Sequence, residues 1–335
     1  YATSHGVSRL RRQIAWNYFD TMGAKVDPES ICITNGGQEA LLLAIKAVTK
    51  PGDIVAVESP TYHGILELID SLGLLAIEVP TCPEEGVITK RLTEVLDRHD
   101  VKACVFSTTL SNPLGVSIPD EDRLRLARIL AERDITLIDD DVYGDLRFDG
   151  VRPTPVQFLD TGAKVITIGS FSKTVAPGYR IGWVVSNCHL EEIQRLKRSF
   201  SISSAFLQQL TLADFMASGD YARHLKSLRP VLKRNCERMS ALVAQHFPAE
   251  TRLSKPLGGS VLWLELPESV NSEQLFDDAI AAGISINPGP IYTPCGCYKN
   301  FVRLSYGHRW CEKTESAVAW LGRRVHELIG DQTIA

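Results

Sequence analysis

Between residues 30 and 215 the chain switches repeatedly between two hydrophobic periods, and this switching constrains the fold more than any other property. Short apolar or β-branched runs at 30–34, 54–58, 75–79, 103–107, 135–139 and 165–168 read as strands. Between them, 38–49, 62–72, 92–98 and 123–133 repeat apolar residues at helical spacing; Ala40, Leu41, Ala44, Ile45 and Val48 share one face. Strands that are apolar almost throughout must be covered on both sides, which predicts an α/β fold with a mostly parallel sheet and helices on both faces. Ligands of such sheets gather at the carboxyl ends of the strands. Gly36, Asn112, Asp140 and Lys173 all fall there.

A long helical region follows at 189–247. Then come a strand at 258–266, a helix at 272–282, a strand near 284–286, a Pro/Gly/Cys-rich loop, a strand at 300–305 and an amphipathic helix at 312–328. This part reads as a smaller α+β domain. With 44% hydrophobic and 23% charged residues, the 335-residue chain has the makeup of a globular protein, not of a disordered one. A net charge of -4 gives no global basic field for nucleic acid. No apolar run approaches the roughly 20 residues that span a bilayer. Of eight scattered cysteines, Cys32 and Cys104 sit in strand runs and read as buried, reduced thiols, which fits a cytoplasmic setting. The one close pair, Cys295-Gly-Cys297, lacks a second pair at zinc-finger spacing, so no metal site is expected.

The segment from Ile166 to Trp183 carries the chemistry. Its strand ends in Ser170-Phe-Ser-Lys173, and Arg180 follows a Pro-Gly turn. A lysine at the end of a buried strand can form an imine with an aldehyde, partial desolvation favouring its neutral amine. The hydroxyls of Ser170 and Ser172 and the fork of Arg180 suit a phosphate. Aldehyde and phosphate together describe pyridoxal 5'-phosphate. A lone lysine in a serine-rich turn is more often a surface residue, so other parts of the chain must decide.

That cofactor asks for a carboxylate at its pyridine nitrogen, donors for its phenolate oxygen, a helix N-terminus for its phosphate and an arginine for a substrate carboxylate. Each demand has a candidate. Leu137-Ile-Asp-Asp-Asp-Val-Tyr143 is an apolar strand running into acids; alone, such an end is usually a helix cap or a solvated turn. Asn112-Pro-Leu-Gly115 follows another strand, and Asn-Pro alone is only a turn signal. Thr34-Asn-Gly-Gly-Gln38 is a strand–glycine–helix junction with free N–H groups. Pro60-Thr-Tyr62 offers a ring that could stack or merely pack, and Arg303 is an unpaired cation in a strand pattern.

In this order and spacing, these motifs resemble the fold-type I pyridoxal-phosphate-dependent aminotransferases, class I/II, over essentially the whole chain. The resemblance implies a large domain (1–230) on a mostly parallel, seven-stranded sheet and a small C-terminal α+β domain (231–335). It implies Lys173 as the Schiff-base lysine and proton shuttle, Asp140 at the pyridinium, Tyr143 and Asn112 at the phenolate oxygen, and Tyr62 on the ring. The amides of Gly37 and Gln38, with Ser170, Ser172 and Arg180, would hold the phosphate, and Arg303 the substrate α-carboxylate. Tyr1, five residues before Gly6, matches a family tyrosine that reaches the neighbouring subunit's phosphate, implying a homodimer with shared sites.

Glu58-Ser-Pro-Thr-Tyr-His-Gly64, Asp139-Asp-Asp-Val-Tyr-Gly-Asp-Leu-Arg-Phe148 and the lysine segment are similar to the C-terminal domains of MocR-type regulators of the GntR family. There a winged helix-turn-helix precedes an aminotransferase-like domain that senses an effector. Freestanding aminotransferases of the α-aminoadipate and kynurenine group share much of the pattern, which leaves a freestanding enzyme acting on a 2-amino acid as the alternative. Tyr1 already matches a position well inside the pattern, so a longer protein with an N-terminal arm is expected, with a DNA-binding domain as well if it is the regulator. No basic recognition helix with a wing occurs in these residues, so DNA would be bound only through such a domain.

Overall fold

The predicted strands and helices pair off as β-α units in the computed structural model, which describes residues 3–82, 86–186 and 188–333. In chain order the first half comprises α1 (Ser8–Tyr18), β1 (Ile31–Thr34), α2 (Gly37–Val48), β2 (Ile54–Ser59), α3 (His63–Ser71), β3 (Leu75–Cys82), β4 (Gly86–Val87), α4 (Thr89–Arg98), β5 (Val101–Phe106), α5 (Asp120–Glu132), β6 (Thr136–Asp140), β7 (Val165–Ser170) and β8 (Gly182–Ser186). The sheet order is β1-β8-β7-β6-β5-β2-β3-β4. Pairs from β3 through β7 are parallel, whereas β8 runs antiparallel to both β7 and β1. The seven strands implied by the family resemblance are present, and the two-residue β4 adds an eighth at the edge beside β3.

One sheet face is covered by α2, α3 and α6 (Leu190–Phe200), whose Leu41, Ala44, Ile65 and Ile193 are buried with Val55, Ile138 and Ile168. The other face carries α4 and α5, with Leu92, Leu126 and Leu130 against Cys104, Phe106 and Leu137. Side chains alternate across a strand, so the consecutive apolar residues of β5 to β7 supply both layers.

The second half comprises α7 (Phe206–Ala217), α8 (Asp220–His246), β9 (Arg252–Leu253), β10 (Val261–Glu265), α9 (Ser272–Ala281), β11 (Asn287–Pro288), β12 (Phe301–Ser305) and α10 (Glu312–Thr333). Four of these form an antiparallel sheet in the order β11-β12-β10-β9. Two expectations need correction. The helical region at 189–247 is three helices, because Ile202 and Gly219 take left-handed backbone angles, φ 62° and 76°. The strand expected near 284–286 begins at Asn287 instead, because the Ile284 amide closes the end of α9 on the Ala279 carbonyl and is not free to pair. No helix among the described residues is long and apolar enough to cross a membrane.

Candidate functional site

β1, β2, β5, β6 and β7 end at one rim of the large sheet, and the loops beyond them, with Arg303 from the small sheet, line an open cavity of about 270 Å³. Eleven of the twelve residues singled out above line it: Gly37, Gln38, Tyr62, Asn112, Asp140, Tyr143, Ser170, Ser172, Lys173, Arg180 and Arg303. The twelfth, Tyr1, lies outside the described residues.

The anion-binding end is built at the start of α2. Gly36 precedes the helix with φ 83°, and no side chain caps the first turn. Glu39 reaches back to the Asn35 amide (2.6 Å), so the N–H groups of Gly37 and Gln38 are left open toward the cavity. Across from them the Ser170 and Ser172 hydroxyls lie 3.0 Å apart, and Arg180 donates to Ser172 (3.3 Å) and to the Asn35 carbonyl (3.2 Å). A Cβ on Gly36 would collide with the Arg180 guanidinium, so this close approach requires glycine. Open amides at a helix N-terminus, two hydroxyls and an exposed guanidinium make a donor-rich cluster suited to a phosphate dianion.

The acidic floor lies at the end of β6. Asp140 is buried and accepts a hydrogen bond from the Val142 amide (3.3 Å). Burial, helped by the neighbouring Asp139 charge, pushes its carboxyl up to about 7. Such a group favours a cationic partner in the cavity. Asp139 points away and is held by Thr108 (3.0 Å), which itself receives Arg123 (2.8 Å). Lys173 is exposed at the turn after β7, its ammonium 5.7 Å from the centre of the Tyr143 ring. The buried strand itself ends at Ser170, so the lysine stands on the turn beyond it, at the wall of the cavity.

At the opposite end Arg303 donates to the side-chain oxygens of Asn112 (3.3 Å) and Asn287 (3.2 Å), while its buried Nε has no partner. Among the described residues no carboxylate pairs with it, which leaves a guanidinium ready for an incoming one. Tyr62 leads into α3, and its ring packs so closely over Gly64 that a Cβ there would come within 2.6 Å of it.

Three residues given no role above belong to the site or its floor. His63 and Ser107 line the cavity. Glu58 is 1% exposed, with one carboxylate oxygen on the Ser107 amide (3.1 Å) and the other unpartnered. Burial, reinforced by Asp140 and Asp139, pushes it up to about 8. Its signal was the one that exposed Asp140, an acid closing an apolar strand pattern. Behind the lysine turn, Arg152 bridges Asp141 and Asp145, Tyr221 donates to Asp145 (2.5 Å), and His224 donates to the Thr174 carbonyl (2.8 Å).

Residues 1–318 match the family model described as aminotransferase class I and II. The chain belongs to that family. Its relatives divide into regulators and enzymes. It is 36% identical to the uncharacterized HTH-type transcriptional regulator YdcR of Escherichia coli, over 96% of this chain and 69% of that protein. It is 29% identical to aromatic-amino-acid aminotransferase 1 of Thermococcus litoralis, over 98% of this chain and 80% of that one. Among solved structures, the α-aminoadipate aminotransferase LysN of Thermus thermophilus, in complex with N-(5'-phosphopyridoxyl)-L-leucine, superimposes with a TM-score of 0.91 at 29% identity, covering 98% of this chain and 84% of that chain. Family membership implies pyridoxal 5'-phosphate as the cofactor, and the donor cluster, the acidic floor and the free lysine fit its phosphate, ring nitrogen and aldehyde.

Proposed function

We propose that the cavity binds pyridoxal 5'-phosphate and a 2-amino acid or amine, and that this aminotransferase-like domain is the effector-sensing part of a MocR/GntR-type transcriptional regulator. The observation that carries the cofactor reading is the convergence of Lys173, Asp140 and the α2 donor cluster on one cavity. The match to an HTH-type regulator at 36% identity supports the sensing role.

When bound, pyridoxal phosphate supplies an aldehyde for amines and a ring that withdraws electrons from the carbon next to the nitrogen. The chain's residues supply the rest. Asp140, buried and short of cations, stabilises a protonated ring nitrogen and is itself held ionised by it. Gly37, Gln38, Ser170, Ser172 and Arg180 hold the phosphate, and Asn112 and Tyr143 face the phenolate oxygen. Tyr62 bounds one face of the ring. Lys173 provides the amine that holds the cofactor and accepts or returns a proton at Nζ. Arg303 takes the substrate carboxylate in bidentate fashion, with Asn112 and Asn287 orienting its fork.

A homodimer belongs to this reading, with Tyr1 of one copy serving the other. Phe200, Ile202, Phe206 and Leu207 support it, being 50–73% exposed in neighbouring positions as a second copy would cover them. We also assign the boundary between the two lobes to α8 near residue 230, DNA contact to a domain outside these residues, and a cytoplasmic setting supported by the buried thiols of Cys32 and Cys104.

A freestanding aminotransferase is the second reading, favoured by the match along 98% of the chain to an enzyme. The test is a titration of cofactor-loaded protein with single amino acids, followed by a 2-oxo acid and product analysis. The sensing role predicts saturable spectral changes without sustained product; many turnovers per site would favour the enzyme.

A further inference from the structure

The Cys295-Gly-Cys297 pair takes no part in the site just described, yet its placement is specific. Both residues are exposed on the loop between Tyr292 and β12. Side chains two residues apart in a non-helical segment can face the same side, and Gly296, with φ 67°, bends the loop between them. Cys295 and Cys297 thus flank a single glycine on one exposed turn, which leaves their two thiols free to approach each other. This loop holds two cysteines, and no group of three or more metal-ligating side chains is found among the described residues.

The pair is wired to the substrate end of the cavity. Cys295 Sγ lies 3.0 Å from Thr293 Oγ1, which donates to Glu78 (2.8 Å). Tyr298, on the other side of the pair, contacts Ser59 through its hydroxyl (3.0 Å), and Ser59 in turn donates to the same Glu78 oxygen (2.7 Å). Thr293 adjoins Tyr292, a fully buried ring 5.6 Å from the Arg303 guanidinium and 5.9 Å from the His63 ring. Trp263 packs on Tyr292 (5.1 Å) and Tyr298 (5.9 Å) and so reports on this wall.

We propose that Cys295 and Cys297 are a reversible thiol–disulfide site that resets the wall beside Arg303. The oxidant is a low-molecular-weight disulfide such as oxidised glutathione. One cysteine thiolate attacks it, forming a mixed disulfide and releasing one thiol; the second thiolate then displaces the other thiol and closes the Cys295–Cys297 bond. Two electrons leave the pair, two protons leave with them, and the oxidant becomes two thiols. Closing the bond takes Cys295 Sγ off Thr293 Oγ1, releasing one of the contacts that fix the Thr293–Tyr292 turn. The effect on amino-acid affinity rests on the cofactor and substrate reading above; the dithiol chemistry and the change at Trp263 do not.

The test treats the full reduced chain with graded ratios of reduced and oxidised glutathione at mildly alkaline pH, where more thiolate is present. Expected are a mass lower by two hydrogens, a Cys295–Cys297 linkage by peptide mapping, and a shift in tryptophan emission. The linkage should be absent from Cys295→Ser and Cys297→Ser, and the emission shift from both and from Trp263→Phe. Loaded protein should then bind amino acid roughly tenfold more weakly when oxidised, about the loss of one good hydrogen bond, with cofactor retained. Glutathione adducts that never resolve to the linkage, or a linkage with unchanged emission, overturn the proposal. Linkage and emission shift in a protein that binds no amino acid in either state would leave the dithiol standing and remove the substrate reading instead.

Discussion

Replacing Glu58 with Gln separates the energetics of the acidic floor from its catalytic use. Glu58 is buried, holds the Ser107 amide at 3.1 Å, and is pushed up to about 8 by burial and by the nearby aspartates. In the unfolded chain it titrates near 4.5. Between those values the folded state binds a proton that the unfolded state has released, so stability falls as pH rises through this window. At about 1.4 kcal/mol per pH unit, one such group costs at most about 4 kcal/mol between roughly pH 5 and pH 8, and about 2–4 kcal/mol after allowance for local relaxation. Glutamine matches the protonated acid in shape and cannot ionise. Urea unfolding of cofactor-free protein, at one protein concentration and across this pH range, should give nearly equal stabilities at the acid end. The variant should be the more stable at the alkaline end. Asp140, pushed up to about 7, adds the same sign of slope to both proteins; because its charge also raises Glu58, the difference between the two curves reports Glu58 together with that coupling. Parallel stability curves, or a variant weakened equally at every pH, would refute the assignment of Glu58 as a buried neutral acid.

Three further outcomes follow from the site. Arg303→Ala removes the free guanidinium, and amino-acid affinity should fall roughly 30- to 1,000-fold while cofactor affinity stays within about threefold, both read by spectral titration. Equal losses of both would remove its substrate role. Gly36→Ala puts a methyl group against Arg180 at a left-handed residue, so equilibrium dialysis should show cofactor affinity reduced by about tenfold or more. Unchanged affinity would dissociate this junction from the phosphate. Lys173→Ala, at an exposed turn residue, should leave unfolding midpoints unchanged and abolish the visible absorbance of loaded protein; a persisting band would point to another lysine.

The large sheet was legible because its strands are apolar throughout and its helices carry their period openly, as in β5, β6 and α2. The site residues were legible because each stands at a strand end, where a polar residue breaks an apolar run. What stayed hidden depends on contacts between distant segments. The exposure of Lys173 follows from the shape of an open cavity, not from the strand before it. Glu58 carried the same mark as Asp140, but its lack of a second partner is visible only with β5 alongside. The contact of Cys295 with Thr293 depends on the loop backbone, and its connection to Arg303 runs through Thr293 and Tyr292. The start of β11 shifted because the end of α9 needed the Ile284 amide, a competition between hydrogen bonds that periodicity does not record.

The central claim is that Lys173 is the residue that holds pyridoxal 5'-phosphate in this cavity. Borohydride reduction of loaded protein, followed by protease digestion and mass spectrometry, tests it most directly. The account predicts one pyridoxyl adduct, on the peptide containing Lys173, with loss of the visible band. An adduct on another lysine, or a cofactor that dialyses away unreduced, would contradict it.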